Sequence, residues 1–375
     1  MDKKTKDNLK KLLFIASYCE TLGFNNGNWE FNNFGTKNYF IGNPVDFALI
    51  SSFILDHYNY LGGKNIDISK WNASDDTILL LATTRALNNE ETQGKTNYIK
   101  ELLKVKKYLF EDERVSGINT QEMLEKISKN KESKDSKDNL YPSYNEKGGG
   151  NGAAIRTAPI GFVYDDEKSI ISESFINSIQ THNQVLGYMG GIAVALITHF
   201  AKKEINPYEW FDKLIGLEKT IDKKLQEIIE KYSKSDYEKY KKNGYTFWNK
   251  IKDYNDYRVK KIKKRKYQDT KDRYEYLFKL LRPGNTGKKN VFLGASGLEV
   301  VILSYEAILL SCNPETKKIN FDSLINYGVL HAGDNDSTGA IVGTWYGAYE
   351  KKIPDNIQVK QLEFYEELNK AVDVL

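Results

Sequence analysis

Three features of the 375-residue chain predict an all-α fold. Only seven prolines interrupt it, so few positions forbid a helix interior. Most long segments repeat their apolar residues at helical spacing. No run of alternating apolar and polar residues bounded by turn pairs stands out as a strand.

Asp7 to Ala16 reads as an amphipathic helix with Leu9, Leu12, Leu13 and Ala16 on one face. The preceding Met1-Asp2-Lys3-Lys4 faintly imitates a signal peptide, but the apolar stretch after it is too short and lacks a small-x-small site. The helix leads into Cys19-Glu20 and then into a glycine- and asparagine-rich loop, Gly23 to Asn28, which delivers Glu30. A carboxylate on such a loop can be a metal ligand, a proton acceptor, or a surface acid beside a buried Trp29. Helices are expected around 45–60 and 76–89. The second opens with Ser74-Asp75-Asp76-Thr77, ahead of Ile78, Leu79, Leu80, Leu81, Thr84 and Leu87. Adjacent aspartates repel each other, so folding does not favour them without a cation or donors. Tyr98 to Phe110 is a further helix, and residues 127–148, rich in Lys, Ser, Asn and Asp, read as a solvated loop.

Gly148-Gly149-Gly150-Asn151-Gly152-Ala153-Ala154 is a phosphate candidate, because successive glycines let backbone N–H groups approach a diphosphate closely. It lacks the Lys-Ser or Lys-Thr of the common nucleotide loop. A flexible hinge is the plain alternative. Thr181-His182 precedes a helix from Val185 to Lys202, whose Gly187, Gly190, Gly191, Ala193 and Ala195 permit close packing. His182 either caps that helix or donates to a substrate. His57 and His199 lie in apolar patterns as core or surface residues. Four scattered histidines without a Cys-x-x-Cys pair speak against zinc.

Residues 211–281 form helices rich in Lys, Glu and Tyr, ending at Leu281-Arg282-Pro283-Gly284. Within them Lys260 to Lys266 is strongly basic but flanked by Asp253, Asp256 and Asp269. It reads first as a solvated helix face, and second as a localisation signal or anion patch. Gly294-Ala295-Ser296-Gly297 precedes an apolar helix from Val300 to Leu310. The most informative stretch comes last, in His331-Ala332-Gly333-Asp334-Asn335-Asp336-Ser337-Thr338-Gly339-Ala340. Carboxylates at i and i+2 with a hydroxyl at i+3 can turn oxygens toward one point, which suits Mg²⁺ or Ca²⁺. The same residues also make a plain helix cap. Together with Asp75 and Asp76, they can converge on a two-metal site.

Composition sets the bounds. Forty per cent hydrophobic residues suffice for a sizeable core, and 28% charged residues suit a solvated surface. A net charge of +4 is too mild to demand a nucleic-acid partner. Cys19 and Cys312 alone make no disulfide framework and fit a reducing, cytoplasmic compartment. No apolar run is expected to reach the ~18–20 residues of a membrane span, and a monomer is expected.

Asp75-Asp76-Thr77, Gly150 to Arg156, Thr181-His182 and Gly333 to Thr338 occur in an order that resembles the ADP-ribosylglycohydrolase family. Leu22 to Phe31 resembles the branch that cleaves ADP-ribose from arginine. The resemblance runs from about Leu12 to the C-terminus and implies one domain over residues 1–375, a compact orthogonal multi-helix bundle. Its poorly matching insertions are about 127–148 and 211–290. The resemblance implies two Mg²⁺ ions, with Mn²⁺ possible in their place, and Ser74, Asp75, Asp76, Asp334, Asp336 and Ser337 as ligands. Asp75, Asp76 and Glu30 would be catalytic. Gly149, Gly150, Asn151, Gly152, Ala153, Thr120, His182, Ser296 and Gly297 would bind substrate, with Arg156 structural. The segment Arg114 to Thr120 sits where the family has an arginine, glycine and hydroxyl stretch near the substrate. The chain departs from the family at Cys19-Glu20, where Gly-Asp is usual. It departs again at Gln184-Val185, where His-Pro is usual, and at Leu298-Glu299, where the arginine branch has His-Asp.

The expected reaction is therefore hydrolysis of the N-glycosidic bond of mono-ADP-ribosylated arginine on proteins, releasing ADP-ribose. Alternatives are a hydrolase of O-linked ADP-ribose, on serine or an O-acetyl ester, and a silent ADP-ribose binder prompted by the three departures.

Overall fold

The computed structural model describes residues 1–32, 44–88, 95–111, 114, 116–131, 141–263, 270–281 and 293–375. The expected all-α class is what is found. Among the described residues the only β pairing consists of two isolated bridges, Gly150 with Ser296 and Cys312 with Ile319.

The helices are α1 (Lys3–Phe24), α2 (Pro44–Tyr60), α3 (Asp75–Ala86), α4 (Lys95–Glu111), α5 (Ile118–Lys131), α6 (Ala158–Val163), α7 (Glu167–Ile179) and α8 (Val185–Lys202). They continue with α9 (Trp210–Gly216), α10 (Glu218–Tyr232), α11 (Lys234–Tyr254), α12 (Lys260–Lys263), α13 (Thr270–Leu281), α14 (Gly297–Ser311), α15 (Phe321–Gly328), α16 (Asn335–Glu350) and α17 (Tyr365–Asp373). Helix starts follow local chemistry. The side chains of Asp2, Ser74, Asp166, Gln184, Ser233 and Ser296 accept backbone N–H groups that α1, α3, α7, α8, α11 and α14 would otherwise leave unpaired.

One hydrophobic cluster runs from Leu9 to Val372. At its centre lies α8, packed against α6, α7, α14 and α16. By length and composition α8 is apolar enough to cross a membrane, contrary to expectation, but 94% of it is buried inside the protein. It is apolar all round because other helices surround it.

Among the described residues the most extensive helix pairing is α1 with α16. A Cβ placed on Gly339, Gly343 or Gly347 would come within 2.7 Å of Cys19 O, 2.7 Å of Ala16 Cα and 2.6 Å of Leu12 Cα, respectively. Glycine at every fourth position puts a groove along one face of α16, and the α1 backbone lies in it. From the other side, a Cβ on Gly23 would meet Asn335 O at 2.7 Å. The C-terminal end of α1 is thereby held against the first turn of α16.

Two sequence expectations need correction. The first helix extends from Lys3 through Phe24, so Cys19 and Glu20 are helical and the irregular segment begins at Asn25. Residues 127–148 are not one loop: α5 continues to Lys131, and residues 132–140 lie outside the described residues. Residues 141–148 form an anchored strap, with Asn145 N donating to Asn183 O at 3.0 Å and Asn119 Nδ2 to Lys147 O at 2.6 Å. Within the strap Asn145 Oδ1 accepts Lys147 N at 3.0 Å. Of the basic run, Lys260 to Lys263 are helical, and the remainder falls outside the described residues, as does Arg282-Pro283-Gly284.

Candidate active site

The site is built around the turn before α16. Gly333 has φ +142°, and a Cβ there would lie 2.5 Å from Leu293 O, so only glycine fits. Asp334 N donates to that same Leu293 carbonyl at 3.0 Å. Beneath the turn, His331 Nε2 and Thr338 Oγ1 are 2.6 Å apart, and Ser51 Oγ of α2 accepts Ala332 N at 2.9 Å. Asp334 occupies the N-cap position of α16 but makes no side-chain cap bond. Its Oδ2 instead accepts Asn151 Nδ2 at 3.0 Å. The carboxylate thus faces the glycine loop as well as the helix start.

Glu30 approaches from the irregular segment after α1. Phe31 takes a left-handed backbone, φ 49°, and its N–H donates to Gly333 O at 2.9 Å. Trp29 beside it is fully buried, with its indole N–H donating to His57 Nδ1 at 3.1 Å. Glu30 is 8% exposed, which removes the surface-acid alternative. One carboxylate oxygen each from Glu30, Asp334 and Asp336 lies within 4.8 Å of the others.

The aspartate pair arrives on α3. Ser74 Oγ caps the helix by accepting Asp76 N at 3.2 Å. Glu20, fully buried in α1, accepts the Ser74 N–H on one oxygen and the Thr77 hydroxyl, at 2.8 Å, on the other. Its role as the acid that holds the start of α3 was missed in the sequence. An acid spaced from a distant Ser by the fold leaves no local pattern.

Burial is the first cause of every pKa shift here, and mutual repulsion adds to it. Asp76 is pushed well up by desolvation and then by the charges of Asp75, Glu20 and Asp334, with partial relief from the Ser337 side chain. Desolvation raises Glu30 well above its ordinary value, and Asp334 and Asp75 raise it further. Asp336 rises through desolvation and then through Glu30 and Asp76. Asp334 rises less, because hydrogen bonds from Asp336, Ser337 and Asn151 favour its charged form. Asp75 is pushed up to about 7 by burial, then by Glu20 and Asp334. Glu30, Asp75, Asp76 and Asp336 thus each feel acids from other elements: distant residues share one site.

These residues fit a divalent cation. The donors are all oxygen, the set a hard cation prefers. Asp76 Oδ2 is buried without a hydrogen-bond partner, which costs free energy unless something positive takes it up. Of the expected ligands, Asp334 and Asp336 form the tight group, and Glu30, expected as catalytic, joins them. Asp75, Asp76, Ser74 and Ser337 stand beside it.

The glycine loop lies against the same turn. Gly150 pairs with Ser296, Asn151 N donates to Ala295 O at 3.2 Å, and Gly297 N donates to Gly149 O at 3.1 Å. Ser296 itself caps α14 through Glu299 N at 3.2 Å. His182 does not cap α8, a task that Gln184 performs at 2.6 Å. Instead its Nδ1 meets Thr181 Oγ1 at 2.7 Å, and its ring faces the loop. A Cβ on Gly152 would come within 2.7 Å of His182 Cε1 and 3.4 Å of Thr120 Oγ1. Burial, then the nearby Arg156, push His182 down to about 3, so it is neutral at ordinary pH. Arg156 is structural, as expected. Its Nη1 donates to Gly152 O at 2.6 Å, and its Nε and Nη2 to Asn177 at 2.8 and 2.9 Å. Ala153 is fully buried beneath the loop. Arg114 is not directed at this loop. Its guanidinium binds Glu363 and the carbonyl of Ala73.

The sequence profile of the ADP-ribosylglycohydrolase family matches residues 40–375. ADP-ribosylhydrolase ARH1 of Dictyostelium discoideum is 30% identical over 381 residues, spanning 92% of this chain and 86% of that protein. ADP-ribosylhydrolase ARH3 of Bos taurus is 27% identical over 234 residues, spanning 60% of this chain and 56% of its own length. A solved ADP-ribosylglycohydrolase-related protein complex superposes with a TM-score of 0.55 at 13% identity, covering 100% of this chain and 98% of that one. That last likeness concerns the fold alone.

Proposed function

The chain belongs to the ADP-ribosylglycohydrolase family, and from that premise we propose a divalent-metal-dependent hydrolase that cleaves the N-glycosidic bond between ribose C1 and a modified arginine of a protein, releasing ADP-ribose. The observation that carries the reading is the buried meeting of Glu30, Asp334 and Asp336 beside Asp76 and the glycine loop. The arginine linkage is the finer part, supported by the resemblance of Leu22 to Phe31 to the arginine-cleaving branch.

Glu30, Asp334 and Asp336, with Asp75, Asp76, Ser74 and Ser337 beside them, would hold Mg²⁺ or Mn²⁺. Such an ion supplies fixed positive charge that orients ribose hydroxyls and acidifies water. The chain's own residues do the rest. Backbone N–H groups of Gly149, Gly150 and Gly152 would offer donors for a diphosphate, Asn151 N being given to Ala295 O, and neutral His182 offers Nε2 toward the same loop. A carboxylate oxygen of Glu30 or Asp75 takes the proton of the attacking water as its oxygen bonds to C1. The C1–N bond breaks with its electron pair leaving on the guanidine nitrogen, which receives that proton. The free cysteines Cys19 and Cys312, both buried, support a reducing compartment.

The test is side-by-side turnover of arginine-linked and serine-linked ADP-ribosyl peptides, with Mg²⁺, Mn²⁺ or EDTA. Release from the arginine peptide that EDTA abolishes is expected. Preference for the serine peptide overturns the linkage, and tight ADP-ribose binding without release from either overturns the enzyme.

A further inference from the structure

Three consecutive backbone N–H groups lead into α3, and each donates to a side chain from a distant part of the chain. Asn72 N donates to Asn26 Oδ1 at 2.7 Å, Ala73 N to Glu363 Oε2 at 2.9 Å, and Ser74 N to Glu20 Oε1. No helix or sheet ladder supplies partners for these amides, so these side chains do. The middle bond is part of a larger arrangement. Arg114 Nη1 donates to Ala73 O at 2.6 Å and to Glu363 Oε2 at 2.8 Å, while its Nη2 donates to Glu363 Oε1 at 2.6 Å. The pair grips both polar groups of one residue: Glu363 takes the Ala73 N–H and Arg114 takes its C=O.

The geometry is a planar fork on a carboxylate, which fixes direction as well as distance. Arg114 is 7% exposed at its side chain and Glu363 28%, so the pair is screened less than a surface pair. The Phe364 ring lies 5.4 Å from the Arg114 guanidinium carbon and packs edge-on against Tyr108 at 6.1 Å. The grip therefore draws on the segment after α4 and on the stretch just before α17, both far from α3 in sequence.

We propose that Arg114 and Glu363 act as a positioning clamp on Ala73 that sets where Asp75 and Asp76 stand. Neither residue touches substrate; they act through the backbone two residues ahead of the aspartate pair. Asp75 and Asp76 repel each other and Glu20, so the unclamped segment would relax away from the crowded acids. The clamp resists that relaxation before any cation binds. This inference rests on the reading of Asp75 and Asp76 as working carboxylates.

The experiment compares the full-length parent with Arg114→Ala, Glu363→Ala and Glu363→Gln. Hydrogen exchange is read on peptides covering residues 70–80, and Mg²⁺ alone is titrated by calorimetry. In both alanine variants, faster exchange confined to that peptide is expected, together with Mg²⁺ affinity weakened about 10–100-fold, the usual effect of losing a support behind metal ligands. Glu363→Gln keeps an acceptor for Ala73 N and loses the charge that orients Arg114, so it falls between parent and alanine. It also decides the matter if an alanine chain does not fold. Unchanged exchange overturns the clamp, and so does faster exchange with unchanged Mg²⁺ affinity. A parent that binds no divalent cation overturns the proposed function instead, and the clamp then stands or falls on exchange alone.

Discussion

The backbone N–H of Phe31 donates to the carbonyl of Gly333 at 2.9 Å, fastening the turn that carries Glu30 to the turn that carries Asp334. Both turns use uncommon backbone, φ 49° at Phe31 and φ +142° at Gly333. Substituting Gly333→Ala forces a Cβ to within 2.5 Å of Leu293 O. Strain of this kind costs about 1–3 kcal/mol. A lower thermal midpoint with weaker Mg²⁺ binding is expected, and a melt that matches the parent would show that the turn relaxes freely.

Stability and activity should part company at the acids. Asp336 is buried among Glu30, Asp76 and Asp334, so in EDTA its charge opposes folding. Asp336→Asn is expected to melt higher than the parent in EDTA, to gain less stability from Mg²⁺, and to lose turnover. Asp334→Ala and the double variant Asp75→Ala/Asp76→Ala are expected to lose turnover while folded. If these chains turn over like the parent, the site has been misplaced.

Asp75 ties stability to pH. Its carboxyl is pushed up to about 7 in the folded chain, against an ordinary 3.8. Between those values the folded state holds more protons than the unfolded one, so this group lowers stability as pH rises and opposes folding fully above 7. In EDTA, Asp75→Asn should melt above the parent at about pH 8 and level with it at about pH 3, below both pKa values. His182 and His331, both pushed down to about 3, pull the other way in acid, destabilising the fold below their ordinary 6.5. The comparison with the variant isolates Asp75 from them. Equal gaps at both pH values would remove Asp75 from the account.

The groove on α16 gives a purely structural prediction. A Cβ at position 343 would stand 2.7 Å from both Ala16 Cα and Ile15 O, which are backbone and cannot rotate aside. Gly343→Ala should destabilise by about 1–3 kcal/mol, the range for overpacking a filled interior. Circular dichroism melts would check it. A neutral substitution would mean that α1 and α16 can separate at little cost.

The acids of the site were legible because each cluster carries its own contradiction: Asp75-Asp76 and Asp334-x-Asp336 place like charges together at helix starts. The glycine loop was legible for a similar reason, since four glycines in a span of five residues have few other uses. The contacts that hold these pieces were not. Glu20 with Ser74, Arg114 with Glu363, and Asn151 with Asp334 join residues that share no period, and nothing local marks an acid as a partner for a distant amide. The glycines at 339, 343 and 347 went unread, because a spacing of four on a helix marks a groove without naming the helix that fills it. The strap at 141–148 misled for the opposite reason, because a composition that looks solvated hides a backbone held from outside, by Asn119 on Lys147 O and by Asn183 on Pro142 O.

Leu12 finds its place against Gly347 only across more than three hundred intervening residues. A ribosome must have made almost all of the chain before α1 can dock, and until then Glu30 and Asp334 are strangers. A product cut short before α16 would carry the front half of the acids and no centre to gather them, so the proposed hydrolysis waits on the synthesis of α16.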